Sequence, residues 1–475
     1  MEMEKYVVLR SREISAPTRG DMGARAGAAV PAGLRRQVVK LEEIELTKRE
    51  RNDLRRDPST RAIALPMPLR LIEPVRREPA AAAGAVAWGI GAVRAPESSY
   101  DGSGISVAVL DTGIDANHPA FAGVQLVQRN FTEEPPQDLH GHGSHCAGTI
   151  FGRDVAGTRI GVARNIKRAL IGKVLGEGGG SSATLARAIH WALEEGAHVI
   201  SMSLGIDFPG YVDWLVNTRN MQVAPATSLA LEEYRANVNL FTELARFVAA
   251  YEVFGQGTLI VAASGNESDR PNYEIAVAPP AAATGVVAVS ALEQTPQGLR
   301  VADFANNQAD IAAPGVDIVS AEAGAGGLTS MSGTSMATPH VAGVAVLWAQ
   351  RQMEMTGRVE HLSLLAQLVA SGTREGLVAD SEEDDVGTGL VQAPLTWAIL
   401  CRDGAGRGRS APVAGAEAGV RRGRGQAGCR WARLLPFFLS GRASGVAADS
   451  MAAAGSAWPW PMAEERFFSW RRRSR

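Results

Sequence analysis

The sequence predicts an α/β fold in which a mostly parallel central sheet carries helices on both faces, over residues 88–398. Three observations predict it. Short β-rich apolar runs alternate with amphipathic segments of helical period, the pattern of strand–helix–strand units. The stretch is long enough for one sizeable hydrophobic core. Its polar, glycine-bounded turns follow apolar runs, which puts their side chains at the carboxyl ends of strands, where open α/β sheets keep their sites.

Taken in order, the strands are Ile105–Leu110, Ala169–Val174, His198–Met202, Thr258–Ala263 and Gly285–Ser290. Leu185–Glu195 and Thr338–Gln350 read as helices between and after them. A further helix is expected over Ala230–Tyr251, where Leu231, Tyr234, Val238, Phe241, Leu244, Ala245 and Val248 recur at three- and four-residue spacing. It lies in the long interval between Gly205 and Asn266, and is expected to cover one rim of a cleft. Residues 1–78 combine short apolar stretches, Tyr6–Leu9 and Ile63–Ile72, with a charged segment, Val38–Arg56, that reads as helix. The Ala/Pro/Gly-rich residues 79–87 form a linker, and residues 399–475 form a Gly/Ala/Arg-rich tail with no sustained period, expected not to fold.

Composition narrows the function classes. The chain is 45% hydrophobic and 21% charged, as in globular proteins, and its formal charge of -2 gives no case for nucleic acid as the main partner. The charge is uneven: from Cys401 onward there are 14 arginines and no lysine against 5 acidic residues. Cys146, Cys401 and Cys429 offer neither a disulfide framework nor zinc spacing. No apolar run is long enough for a membrane span, so no membrane partner is expected. Residues 1–13 lack the apolar core of an export signal, which leaves a cytoplasmic or non-classically exported protein as the expectation.

Three segments carry chemistry. In Val107–Asp115 an apolar strand runs into Asp111 and a glycine turn. In Leu139–Gly148 glycines flank His142, and His140 and His145 stand nearby. Three histidines could suggest a metal, but the segment has no carboxylate at ligand spacing and no HExxH pattern, so no metal ligand is assigned. In Thr329–Gly343 a Gly-Thr-Ser turn leads into a helix of small residues, which places Ser335 at a helix N-terminus. Each segment alone also fits a plain structural role, Ser335 as an N-cap for example.

Together, in the order Asp, His, Ser, they resemble the active-site motifs of the subtilisin-like serine peptidases, the subtilases. The resemblance covers residues 88–398. It implies a subtilisin-like three-layer fold and a serine endopeptidase with Asp111, His142 and Ser335 as catalytic triad, acting through an acyl-enzyme. Leu259–Glu267 ends in Ser-Gly-Asn, similar to the family's oxyanion-hole motif, which implies that Asn266 and the Ser335 backbone N–H bind the oxyanion. Ser203, Leu204 and Gly205 on one side, and Leu175, Gly176 and Gly178 on the other, resemble the segments that flank an extended substrate. Ala263, Ser264 and Gly265 would line the primary pocket, and their small neutral walls imply a broad apolar preference.

The resemblance has further consequences. Cys146 matches the proteinase K-like branch, in which a buried thiol lies under the catalytic histidine and confers sensitivity to mercurials without a role in catalysis. Residues 5–73 match an inhibitor-like propeptide of the βαββαβ kind, with Tyr6–Leu9 as first strand, Leu69–Ile72 as last and cleavage within 74–88. The chain's own N-terminal segment is then a partner alongside polypeptide substrates. No cofactor is implied for catalysis. Structural calcium is conceivable, although Ala120 stands where many relatives carry an acidic ligand, and Asp154 could serve only a different site. An inactive, subtilase-like scaffold is the alternative reading. An esterase is not, because a G-x-S-x-G elbow is absent.

Overall fold

The computed structural model describes residues 3–14, 36–74, 85–254 and 256–395. The described N-terminal strands and helix are β1 (Glu4–Ile14), β2 (Arg36–Leu46), α1 (Lys48–Arg55), β3 (Thr60–Ala64) and β4 (Pro68–Leu71). The following part contains α2 (Trp88–Ala92), β5 (Ser106–Asp111), β6 (Gln125–Asn130), α3 (His142–Phe151), β7 (Arg168–Lys173), β8 (Gly180–Ser181), α4 (Ser182–Glu194), β9 (Val199–Met202) and β10 (Leu204–Ile206). It continues through α5 (Phe208–Asn217), α6 (Val223–Ala250), β11 (Leu259–Ala263), β12 (Val286–Thr295), β13 (Gly298–Val301), β14 (Ile311–Pro314), β15 (Ile318–Ala321) and β16 (Leu328–Met331). Helices α7 (Thr334–Thr356), α8 (His361–Ala370) and α9 (Glu383–Val386) close the described chain.

The central sheet runs β13-β12-β11-β9-β5-β7-β6, with β14 also paired to β12. Every pairing is parallel except the β12–β13 hairpin. Parallel strands bury both faces, and side chains alternate accordingly. Val107 and Val109 of β5 join the core beneath α3 and α7. Ala108 and Leu110 join the opposite core beneath α4 and α6. All five strands and all three helices predicted within residues 88–398 are present, with shifted ends; α7 begins four residues earlier than expected, at Thr334.

The N-terminal part departs from expectation in two ways. Residues 38–46 are strand, not helix: β2 pairs with β1 over eleven residues, and cross-strand pairing overrides the helix-compatible charges. Helix begins only after Thr47, whose hydroxyl accepts from the Glu50 N–H while the Glu50 carboxylate accepts from the Thr47 N–H. This Thr-x-x-Glu capping box is a local start signal visible in the sequence. The second departure concerns β4, expected as the last strand of the N-terminal unit. That unit's sheet is β2-β1-β3, whereas β4 lies between β10 and β8 of the following part, antiparallel to both. Among the described residues the order is ββαβ followed by β4, with one helix rather than the two of a βαββαβ unit. Most of the expected cleavage stretch, and the tail after Leu395, lie outside the described residues. Among those described, no helix is long and apolar enough to cross a membrane.

Candidate active site

Asp111 ends β5, and His142 opens α3. Two glycines bring them together. Gly141, the N-cap of α3, has φ +88°, a left-handed conformation that glycine adopts without steric cost. A Cβ on Gly143 would lie 2.2 Å from the carbonyl oxygen of Gly113, so only glycine lets α3 seat against the turn after β5. His142 Nδ1 and Asp111 Oδ1 are 2.8 Å apart, and both side chains are buried. A carboxylate can only accept, so Nδ1 carries the proton, and in the neutral ring Nε2 is left as the base. Burial opposes the charged ring, but the Asp111 carboxylate and Cys146 outweigh it and hold the His142 pKa well above the ordinary histidine value.

Ser335 is the second residue of α7, so its N–H has no intrahelical acceptor. The Asn266 side chain faces the same place. Its Oδ1 accepts from the N–H and the hydroxyl of Thr334, both at 2.9 Å, which turns Nδ2 toward the cleft. The cleft is filled by the chain itself. The Ser335 hydroxyl donates to the carbonyl of Ile72 at 3.2 Å, and Asn266 Nδ2 donates to the carbonyl of Glu73 at 3.1 Å. His142 Nε2 is buried and without a hydrogen-bond partner. The two consecutive carbonyls thus divide the serine and the asparagine between them.

The strand leading to this point is antiparallel to β10, with Leu71 opposite Leu204, Arg70 opposite Gly205 and Leu69 opposite Ile206. The Ile72 side chain lies beside Gly205, whose absent Cβ would stand 3.7 Å from it. Ser203 does not pair with the strand; its hydroxyl donates to the Ser335 carbonyl at 3.1 Å. On the other side the pairing residues are Gly180 and Ser181, not the expected Leu175, Gly176 and Gly178. The reason is a closed turn in which Gly176 and Gly179 exchange hydrogen bonds of 3.0 and 2.9 Å. Leu175, Gly176 and Gly178 instead line an adjoining cavity of about 470 Å³. Ala263 and Ser264 are buried, and Gly265 has φ +122° with no room for a Cβ beside Asn306.

Asp138 was not singled out from the sequence. Its Oδ1 accepts from the Thr112 hydroxyl and the Gly141 N–H, both at 2.8 Å. Its Oδ2 accepts from the Ser144 N–H and hydroxyl at 2.8 and 2.7 Å. It therefore ties the residue after Asp111 to the turn that carries His142. Burial opposes its charge, but these donors lower its pKa below the ordinary value. The available signal was weak: an Asp a few residues before a helix-opening Gly-His, outside the N-cap position that Gly141 holds.

The neighbouring histidines diverge. His145 is buried and bonded to the Ile318 carbonyl at 2.9 Å, and burial pushes its pKa down to about 3, while His140 is exposed. Among the described residues Asp111, His142 and Cys146 lie close enough to share a metal ion, but a metal on Nδ1 would displace the Asp111 bond. Ala120 is buried and supplies no side-chain oxygen, and both Asp154 oxygens face Arg164 at 3.2 Å.

Comparison with known proteins agrees with this geometry. Residues 102–381 match the subtilase family, peptidase S8. The chain is 32% identical over 319 residues to a thermostable alkaline protease of Halalkalibacterium halodurans, covering 66% of this chain and 73% of that protein. It is 34% identical over 273 residues to subtilisin Savinase of Lederbergia lenta, covering 56% and 85%. It is 31% identical over 270 residues to an intracellular serine protease of Paenibacillus polymyxa, covering 55% and 72%.

Proposed function

Because this chain belongs to the subtilase family and is a serine endopeptidase, we propose that Ser335 is its nucleophile, His142 its general base and Asp111 the group that orients the imidazole. Ser335 Oγ attacks a peptide carbonyl while His142 Nε2 takes the hydroxyl proton and returns it to the leaving amine. Water, activated by the same imidazole, then releases the acyl group. Asn266 Nδ2 and the Ser335 N–H stabilise the oxyanion. None of these steps calls on a metal.

The observation that carries the reading is β4. A polypeptide strand runs between β10 and β8 and brings main-chain carbonyls to Ser335 and Asn266. The ligand this cleft receives is an extended peptide, held by main-chain pairing. Leu69 is fully buried and Ile72 nearly so, which supports a broad apolar preference. The same observation supports the N-terminal segment as a built-in inhibitor. With the Ser335 hydroxyl on the Ile72 carbonyl and Asn266 on the next, no single carbonyl receives both groups, and the strand is held without the oxyanion contact that attack needs. Pro74 follows, and a proline restricts the residue before it to extended conformations.

The test is a fluorophosphonate probe and casein digestion by the purified chain, with and without Ser335→Ala. Labelling and casein cleavage that both require Ser335 support the proposal. A folded chain that neither labels nor cleaves after its N-terminal segment has been released would instead be the inactive scaffold.

A further inference from the structure

The path of the bound strand continues beyond the cleft. Upstream of β4 the main chain is gripped at two more residues. Met67 donates its N–H to the Ser182 hydroxyl and accepts from the Ser182 N–H, both at 3.0 Å. Two residues earlier, Leu65 donates its N–H to Glu233 Oε2 at 3.3 Å and accepts from Asn237 Nδ2 at 2.9 Å. Ser182 opens α4, while Glu233 and Asn237 lie one turn apart on α6. All three are buried side chains, Asn237 completely, and Asn237 Oδ1 is left without a partner. The segment that buries this carboxylate and amide also supplies the main-chain groups that pair with them, both from Leu65.

The two clamps themselves hold the occupant's main chain, while the Met67 side chain beside them is fully buried. Both clamps use one N–H and one C=O of a single residue, and the two gripped residues are two apart, as in an extended chain. The residues between and after them are Pro66 and Pro68. Proline has no N–H to give, and here it falls only where none is asked for. Counting upstream from Ile72, whose carbonyl meets Ser335, Met67 is the sixth residue and Leu65 the eighth.

We propose that Ser182 and the Glu233–Asn237 pair form a main-chain clamp for polypeptide substrates. It holds the sixth and eighth residues upstream of the cleaved bond once the chain's own segment has left. The inference rests on the endopeptidase reading and takes β4 as marking the substrate's path. Its ligand class is an extended polypeptide of at least eight residues on the acyl side, with an apolar side chain at the sixth and no proline at the two gripped positions.

The test uses the full chain carrying Ser335→Ala and a site-specific protease sequence inserted between Ala82 and Ala83. The chain is nicked after folding and freed of the N-terminal fragment by gel filtration. Fluorescence anisotropy then compares a labelled peptide of sequence Ile63–Ile72 with one of sequence Leu69–Ile72. The longer peptide is expected to bind about tenfold or more tighter, from four added main-chain hydrogen bonds and the apolar side chains of residues 63–68. Glu233→Ala with Asn237→Ala should remove the part of that difference that comes from the two Leu65 hydrogen bonds, severalfold in affinity, and leave the short peptide unaffected. A long peptide with proline in place of Leu65, which cannot donate to Glu233, should also bind more weakly than the native sequence, on an unaltered protein. Equal binding of long and short peptides, or none of either, overturns the proposal, as does full affinity for the proline peptide. Failure of the endopeptidase reading shows separately, as peptide binding by a chain whose intact Ser335 form does not cleave casein.

Discussion

Pro339 leaves the main-chain carbonyl of Ser335 without its helical donor. It stands four residues along α7, where an N–H would otherwise close the first turn. The freed oxygen accepts instead from the Ser203 hydroxyl at 3.1 Å and from Cys146 Sγ at 3.4 Å. A proline inside a helix, costly elsewhere, here lets α3 and the segment before β10 grip the backbone of the proposed nucleophile.

Pro339→Ala restores the helical donor and puts it in competition with Ser203. The expected result is a several-fold drop in kcat with KM nearly constant, and a melting temperature that holds or rises. A fall in kcat explained wholly by lost folded protein would remove the positioning role.

Leu69 is the buried anchor of β4. A fully buried leucine contributes about 1.5–3 kcal/mol, and a charge in its place costs more. Leu69→Asp should therefore unseat the strand and raise the full chain's rate on a short chromogenic peptide by tenfold or more. An unchanged rate, with circular dichroism showing a folded chain, would mean that β4 does not limit access.

Asp138 holds five donors, the His140 N–H at 3.2 Å among them, that would lose their acceptor in Asp138→Ala. The loss should destabilise the chain by about 3 kcal/mol or more and depress kcat by displacing His142. The pH dependence follows from its lowered pKa. A carboxyl that holds its proton less tightly when folded adds stability above its ordinary value of 3.8. That contribution is lost as pH falls through the lower folded value. Urea midpoints of wild type and Asp138→Asn should therefore converge in acid, and parallel curves would contradict the assignment.

Glu233 works in the opposite sense. Burial raises its pKa from the ordinary 4.5, opposed by the Leu65 N–H and Arg51 and reinforced by Glu232 and Glu4. A raised carboxyl binds its proton more tightly when the segment is docked. Docking is therefore favoured in full below pH 4.5 and weakens as pH rises through the docked value. Latency of the full chain should relax as pH rises above 4.5, and Glu233→Gln should flatten that trend. A trend unaltered in Glu233→Gln would place the titration elsewhere.

Cys146 is fully buried, with burial raising its pKa, so it is no nucleophile in its own right. Mercurials should inhibit the wild type slowly, by reaching the thiol beneath His142. Cys146→Ser should lose that inhibition while its hydroxyl still donates to the Ser335 carbonyl. Inhibition that persisted in the variant would point to Cys401 or Cys429.

What could be read directly from the sequence was local in origin. Asp111, His142, Asn266 and Ser335 each sit in a short glycine-bounded turn, where conformational freedom and residue chemistry act within a few positions. The strands were legible for the same reason, since parallel strands buried on both faces are continuous apolar runs. Even the start of α1 was written locally, in Thr47 and Glu50, beneath charges that suggested a longer helix.

Tertiary structure alone decided what those residues meet. The Ser335 hydroxyl and the Ile72 carbonyl are 263 residues apart in the chain, and Leu65 and Glu233 are 168 apart. Nothing in residues 65–74 announces that β4 leaves its own sheet for the cleft. Its apolar alternation serves either pairing, and the choice falls to the open edges of β10 and β8. Glu233 and Asn237 read as ordinary polar residues of an amphipathic helix until the strand buries them. Sequence periodicity reports which face of an element is apolar, but the partner that covers that face is settled by the packing of distant segments, at the cost of the loop entropy that separates them.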